Sequence, residues 1–162
     1  PDTRDLSASW IKNNIPESSV ILTDQETNSP NLAMCKKQIG QLLEKTVKLN
    51  HPRQYYYKPL LESHPGGGYF IYRVRFSPKE LGNDPKMVTW SQESKSLLDI
   101  KQGLLPAINA GVRFVITSSY DVTPLGFPAF FSDLRKNARS LRKFSPVENK
   151  IKGPDIEIFQ LK

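Results

Sequence analysis

Residues 112–120 read "VRFVITSSY", a β-branched and aromatic run closed by two serines and a tyrosine. The composition predicts a strand. Gly111, just before it, is a helix stop, because glycine takes the left-handed backbone that ends helices. After it, "PLGFPAFFSDLRKNARSL" (124–141) puts Phe127, Phe130, Phe131, Leu134, Ala138 and Leu141 at spacings of 3, 4 and 7. That spacing predicts an amphipathic helix over 127–141.

The same alternation of helix and strand extends toward both ends. Residues 2–15 predict a helix with Asp2 as N-cap, Asp5 in the first turn, and Leu6, Trp10, Ile11 and Ile15 along one face. Pro16 stops it, and "SVILTD" (19–24) is a short apolar run suited to a buried strand. Residues 31–49 repeat the helical pattern at Leu32, Cys35, Ile39, Leu42 and Leu43, and "YYYKPLL" (55–61) is open to an extended or a half-helical reading. "SHPGGG" (63–68) makes a turn, and "YFIYRVRF" (69–76) alternates with strand periodicity. "SPKELGNDPK" (77–86) reads as a polar loop, and 91–110 as a helical region carrying Leu97, Leu98, Leu104, Leu105 and Ile108, kinked or divided at Pro106. "RKFSP" (142–146) and "DIEIFQL" (155–161) close the chain as two strands. The expected fold is α/β: a three-layer sandwich with a mostly parallel central sheet and a C-terminal antiparallel edge hairpin, all in one domain over 1–162.

The formal net charge is +7, with 38% hydrophobic and 24% charged residues. That balance describes a globular chain, not a disordered one. The charge permits attraction to nucleic acid, anionic lipid or phosphate-bearing substrates, and equally describes an ordinary basic surface. The one dense basic run, "RKNARSLRK" (135–143), reads as the exposed face of the preceding helix. Cys35 is the single cysteine, which excludes an intramolecular disulfide and a cysteine-based zinc site. No apolar run approaches the roughly 18–20 residues that span a bilayer.

Few motifs carry chemistry. "PGGGY" (65–69) lacks the Gly-Lys-Ser/Thr ending of a phosphate loop and precedes a strand instead of following one, so it reads as a turn. No Gly-x-Gly-x-x-Gly follows a strand. His51 and His64 each precede a proline without a partner at metal-ligand spacing, and read as loop residues. No cofactor and no metal are expected. Ser118 and Ser119 lie outside any Gly-x-Ser-x-Gly elbow.

Position argues more than motif does. In open α/β sheets, ligands bind beyond the carboxyl ends of the strands. Thr23 and Asp24 end one strand; Ser118, Ser119, Tyr120 and Asp121 end another. If those strands are neighbours, these six residues form a polar cleft and are the candidate substrate-binding set. The competing reading is that they cap the following turns. The Tyr/Arg run "YYYKP…YFIYRVRF" mixes rings and cations as single-stranded nucleic-acid binders do, but fits a sheet with an aromatic core face better.

Both ends of the chain resemble one family. "DTRDLSASWIKNNIPESSVIL" (2–22) resembles the segment after the last transmembrane helix of bacterial polytopic glycosyltransferases of the dolichyl-phosphate-mannose protein mannosyltransferase type, a superfamily that includes the aminoarabinose transferases acting on lipid A. The shared pattern falls on Asp2-Thr3-Arg4, Ala8, Trp10-Ile11, Asn14-Ile15-Pro16 and Ser18-Ser19. "GVRFVITSSY" (111–120) resembles that family's Ser-Ser-Tyr strand, with Phe114 where tyrosine is usual. "FPAFFSDLRKNARSLRKFSP" (127–146) resembles its next helix and strand, and "KGPDIEIFQL" (152–161) its terminal strand, with Phe159 in place of tyrosine. "HPRQYYYKPLL" (51–61) is a weaker match, and residues 77–95 match nothing in the pattern.

The resemblance implies transfer of a sugar from a polyprenyl-phosphate donor, with the catalytic acid in the first extracytoplasmic loop of the membrane part, outside this chain. By that resemblance the chain is a C-terminal extracytoplasmic domain, with residues 1–5 following the last membrane helix. It would be silent in isolation and would shape acceptor access. Its implied partners are the membrane-embedded part of the same polypeptide, and anionic lipid headgroups or a lipid-linked sugar; nucleic acid is not expected. The alternatives are a free-standing basic module that binds nucleic acid or another anionic ligand, and a small soluble α/β enzyme.

Overall fold

In the computed structural model, which describes residues 1–76 and 92–162, the chain runs α1 (Thr3–Asn14), β1 (Val20–Thr23), α2 (Lys36–Lys48), α3 (Gln54–Glu62), β2 (Phe70–Val74), β3 (Leu97–Leu98), α4 (Leu105–Asn109), β4 (Phe114–Ser118), α5 (Pro128–Asn137), β5 (Ala138–Phe144) and β6 (Ile156–Leu161). The expected loop over 77–86, and residue 91 of the expected helical region, lie outside the described residues.

Among the described residues the strands make one sheet in the order β3-β2-β1-β4-β6-β5. β1 lies parallel to β2 and β4, and β2 parallel to β3. β6 runs antiparallel to both β4 and β5, so the parallel half ends in an antiparallel edge hairpin. This is the α/β architecture the alternation predicts. Both faces are covered. Ile11 and Ile15 join Ile21, Ile71, Ile116 and Ile158 on one. Leu104, Phe127, Phe130 and Leu134 join Leu22, Val74 and Val115 on the other. A third small core, Ile39, Leu42 and Tyr57, joins α2 to α3. β4 is buried along its whole length, which is why its sequence lacks the polar alternation of a one-sided strand.

Several boundaries depart from the sequence reading, each for a physical reason. The helix over 127–141 ends at Asn137, and Ala138–Phe144 form β5. A bulge between Ser140 and Arg142 re-phases this strand. It puts Leu141 and Phe144 against the same core although they lie three apart. A three-residue apolar spacing in a strand imitates a helix. The basic run 135–143 therefore crosses from the last turn of α5 into an edge strand, where exposed cations discourage pairing with another chain.

The helical region over 91–110 also divides. Leu97 and Leu98 pair with Arg73 and Val74, with Arg73 N donating to Ser96 O at 2.9 Å. Pro106 sits at the start of α4 and does not kink a longer helix, since its missing N–H is harmless there. The segment 55–61, open on sequence grounds, is helical. Residues 31–35 are not: Met34 bridges to Tyr69, and Tyr69 N donates to Ala33 O at 2.9 Å. The buried stripe of α1 is Thr3, Ser7, Ala8 and Ile11, and Leu6 stays exposed.

Gln38 completes the sheet from a helix. β2 meets β3 only from Arg73 onward, so Ile71 faces α2 with both backbone groups unmet. The Gln38 side chain donates to Ile71 O at 2.6 Å and accepts from Ile71 N at 2.7 Å. Its amide stands in for one strand residue. Gln38→Ala leaves a buried donor and a buried acceptor unmet, and is expected to lower stability by about 2 kcal/mol. Urea denaturation reads this directly; a loss under about 0.5 kcal/mol would contradict the assignment.

Candidate functional site

The pairing of β1 with β4 brings Thr23, Asp24 and Ser118 together at the carboxyl ends of the two strands. All three are buried. Asp24 is the hub: Oδ2 accepts from Ser118 Oγ at 2.7 Å and from Val122 N at 3.1 Å, and Oδ1 accepts from Gln25 N at 2.8 Å. Asp121 joins the edge of the group by accepting a hydrogen bond from Asn28 Nδ2. Burial pushes the Asp24 carboxyl above its ordinary value, opposed by those hydrogen bonds and reinforced by the charge of Asp121.

Two of the six predicted residues lie elsewhere. Ser119 turns toward β6, where its N–H donates to Asp155 O and its Oγ accepts from Asp155 N, at 3.0 and 3.1 Å. Tyr120 points outward and is 59% exposed. The arrangement favours the capping reading. Ser118 spends its hydroxyl proton on Asp24, whose two oxygens also accept from the backbone N–H groups of Gln25 and Val122, and among the described residues no histidine hydrogen-bonds to Ser118. This is a latch between two strand tips, not a nucleophile with its base.

The two histidines do similar local work. His51 Nδ1 accepts from Arg53 N, and His64 Nδ1 from Gly66 N, each at 3.0 Å. The glycine run after His64 takes positive φ at Gly66, Gly67 and Gly68, as a turn requires. Among the described residues no group of three or more His, Cys, Asp or Glu side chains could hold a metal ion.

The open space lies beside the latch. A cleft of about 690 Å³ is bounded by the loop after β1, by α2 and α3, and by residues 95–96. It runs along the outer edge of β2 beside Ile71 and Arg73, and reaches Lys95 and Ser96 just before β3. Arg53, Arg73 and Lys95 line it with Glu26, Tyr56 and Tyr57. Arg73 links cleft and latch: its Nη1 donates to Thr23 Oγ1 at 3.0 Å and to Asp24 O at 3.1 Å, and its Nε lies 3.7 Å from Glu26 Oε1. Tyr57 is fixed by donating to Ser94 O at 3.0 Å, and burial raises its pKa. Burial lowers the pKa of the Lys95 ammonium, and the neighbouring Arg53 lowers it further.

The sequence carried a trace of this cleft in the Tyr/Arg run. Tyr56, Tyr57, Ile71 and Arg73 of the lining come from it, whereas Tyr69, Tyr72 and Val74 from the same run pack into the two cores. Lys95 carried no signal. Compared with known proteins, the chain matches no family model, no curated protein and no solved structure.

Proposed function

We propose that the chain is an accessory extracytoplasmic domain of a membrane glycosyltransferase that uses a polyprenyl-phosphate-linked sugar donor. In this reading it supplies no catalytic acid and serves to shape acceptor access beside the membrane-embedded part of its own polypeptide.

One observation supports the reading above others: the residues that carry the resemblance do structural work, and those from opposite ends of the chain do it together. Asp2-Thr3-Arg4 meets Lys152-Gly153-Pro154. Thr3 N donates to Lys152 O at 2.8 Å, Thr3 Oγ1 to Pro154 O at 2.7 Å, and Lys152 N to Pro1 O at 3.0 Å. Ser118 and Ser119 tie β4 to the tips of β1 and β6. A pattern whose residues build a scaffold suits a domain that supports chemistry carried elsewhere in its polypeptide. Among the described residues no helix is long and apolar enough to cross a membrane.

Two measurements test the proposal. The coding sequence upstream of Pro1 is expected to encode several apolar spans. The purified chain, given a polyprenyl-phosphate sugar, is expected to release no transferred sugar. Absence of spans, or robust transfer by the chain alone, would sink the proposal. Tight polynucleotide binding that weakens steeply with salt would favour the nucleic-acid alternative instead.

A further inference from the structure

We propose that the cleft lined by Arg53, Arg73 and Lys95 is a binding site for a phosphoryl group carried on a sugar-sized or headgroup-sized molecule. The inference does not rest on the accessory-domain reading: Arg73 and Lys95 lie outside the stretches that carry the resemblance, and Arg53 falls only in its weakest match, 51–61.

Charge is the first argument. Three cations from three separate segments converge on one cleft whose lining, among the described residues, includes a single carboxylate, Glu26. The imbalance is two positive charges, which suits a dianionic phosphate monoester better than a singly charged carboxylate. Like charges held in partly desolvated space repel one another, and a bound dianion relieves that repulsion. Among the described residues, Lys95 has no carboxylate within ion-pair distance.

Shape is the second argument. Guanidinium forks match the tetrahedral oxygens of phosphate, and an ammonium supplies a point charge beside them. The Arg73 guanidinium is held in place by Thr23 and the Asp24 carbonyl, and among the described residues its own hydrogen bonds leave from Nη1 alone. Arg53 lies at the start of α3 with its Nη1 3.5 Å from the Tyr57 hydroxyl. The volume falls within the roughly 300–1,000 Å³ typical of small-molecule pockets, far more than a bare phosphate fills. Tyr56, half out of the protein at 56% exposure, offers a ring face for the rest of such a ligand.

The test is calorimetric titration of the 162-residue chain with inorganic phosphate, with a hexose 1-phosphate and with the uncharged hexose. Sedimentation with phosphatidylcholine vesicles, with and without phosphatidic acid, whose headgroup is a phosphate monoester, runs alongside. The hexose 1-phosphate is expected to bind saturably and more tightly than inorganic phosphate, and the uncharged hexose not at all. The double variant Arg53→Gln/Lys95→Gln should lose at least tenfold in affinity with an unchanged Tm. Arg139→Gln/Arg142→Gln, on the edge strand, should bind as the unaltered chain does. Arg73 is left in place because it also braces the latch. Selective binding of the sugar phosphate would assign a soluble ligand. Binding only to phosphatidic acid vesicles, lost in the double variant, would assign a lipid headgroup; either outcome upholds the site. Equal affinity of the double variant, absence of saturable binding in both arms, or vesicle binding that survives the double variant would overturn it.

Discussion

Asp24→Ala is expected to lower the stability of the chain by about 3–4 kcal/mol, a fall in Tm of roughly 10 °C for a protein of this length. The carboxylate accepts from one buried hydroxyl and two backbone N–H groups that have no other acceptor among the described residues. Truncation leaves them facing an apolar gap, and unmet buried donors cost about 1–3 kcal/mol each, less for a hydroxyl that can rotate. Asp24→Asn keeps an acceptor oxygen but turns an amide N–H₂ toward one of the donors, so about half the loss is expected. A loss under 1 kcal/mol for the alanine variant would mean the two strand tips are held by something else.

The pH dependence of the Asp24→Asn loss is a sharper test. Burial raises the folded-state pKa above the ordinary 3.8. The folded state then binds its proton more tightly than the unfolded state does. Stability falls as pH rises from 3.8 through the raised value, and is level above it. Asparagine has no such slope. The loss on Asp24→Asn is therefore largest below pH 3.8 and shrinks as pH rises through that window. Urea denaturation across the acid range measures it; a loss that grows with pH would mean that the hydrogen bonds outweigh desolvation.

The latch was legible because it obeys a local rule: β1 and β4 are adjacent, and both end in polar residues at their carboxyl ends. Its membership was less legible. Successive strand residues face opposite ways, and here Ser118 reaches the tip of β1 while Ser119 reaches β6. Sequence order cannot show which neighbour each will meet. The cleft was harder still, since Arg53, Arg73 and Lys95 share no spacing and meet only through the crossovers around β2. The misread elements share one cause. Leucines at 97, 98, 104 and 105, and apolar residues at 138 and 141, imitate a helical period. The need of β2 and β6 for edge partners decided otherwise. Backbone groups at a sheet edge demand hydrogen bonds whatever the local propensity. Gln38 answers the same demand with a side chain, and no period announces it.

Gly153→Ala should be about as damaging, at roughly 3 kcal/mol, although the residue lies in a half-buried bend near the end of the chain. Gly153 has φ +105°, where an L side chain is strained by about 1–3 kcal/mol. Space is also lacking. An added Cβ would collide with Thr3 Oγ1 and lie 2.7 Å from Asp2 Oδ1. Those atoms are committed: Asp2 caps α1 by accepting from Arg4 N at 2.8 Å and pairs with the Arg4 guanidinium at 2.7 Å, while Thr3 holds Pro154. Displacing them forfeits a helix cap worth about 1 kcal/mol and a buried hydrogen bond of similar size. Gly66→Ala is the control. Its φ is +92°, but nothing lies within 4 Å of the added Cβ, so only strain of about 1–2 kcal/mol is expected. The excess of one loss over the other measures the joint between the two ends of the chain. That joint has its own pH signature. The Arg4 guanidinium holds the Asp2 carboxyl down at about 2, so the stability it lends is complete above pH 3.8 and lost as pH falls through about 2. In Gly153→Ala the pair is pried apart and the Asp2 carboxyl should return toward 3.8, visible in a carbon-detected NMR titration. The variant's deficit should then narrow between pH 4 and pH 2. If the Asp2 titration is unmoved while stability falls by the full amount, the damage is backbone strain alone. The two resemblance-bearing ends would then be neighbours without being coupled.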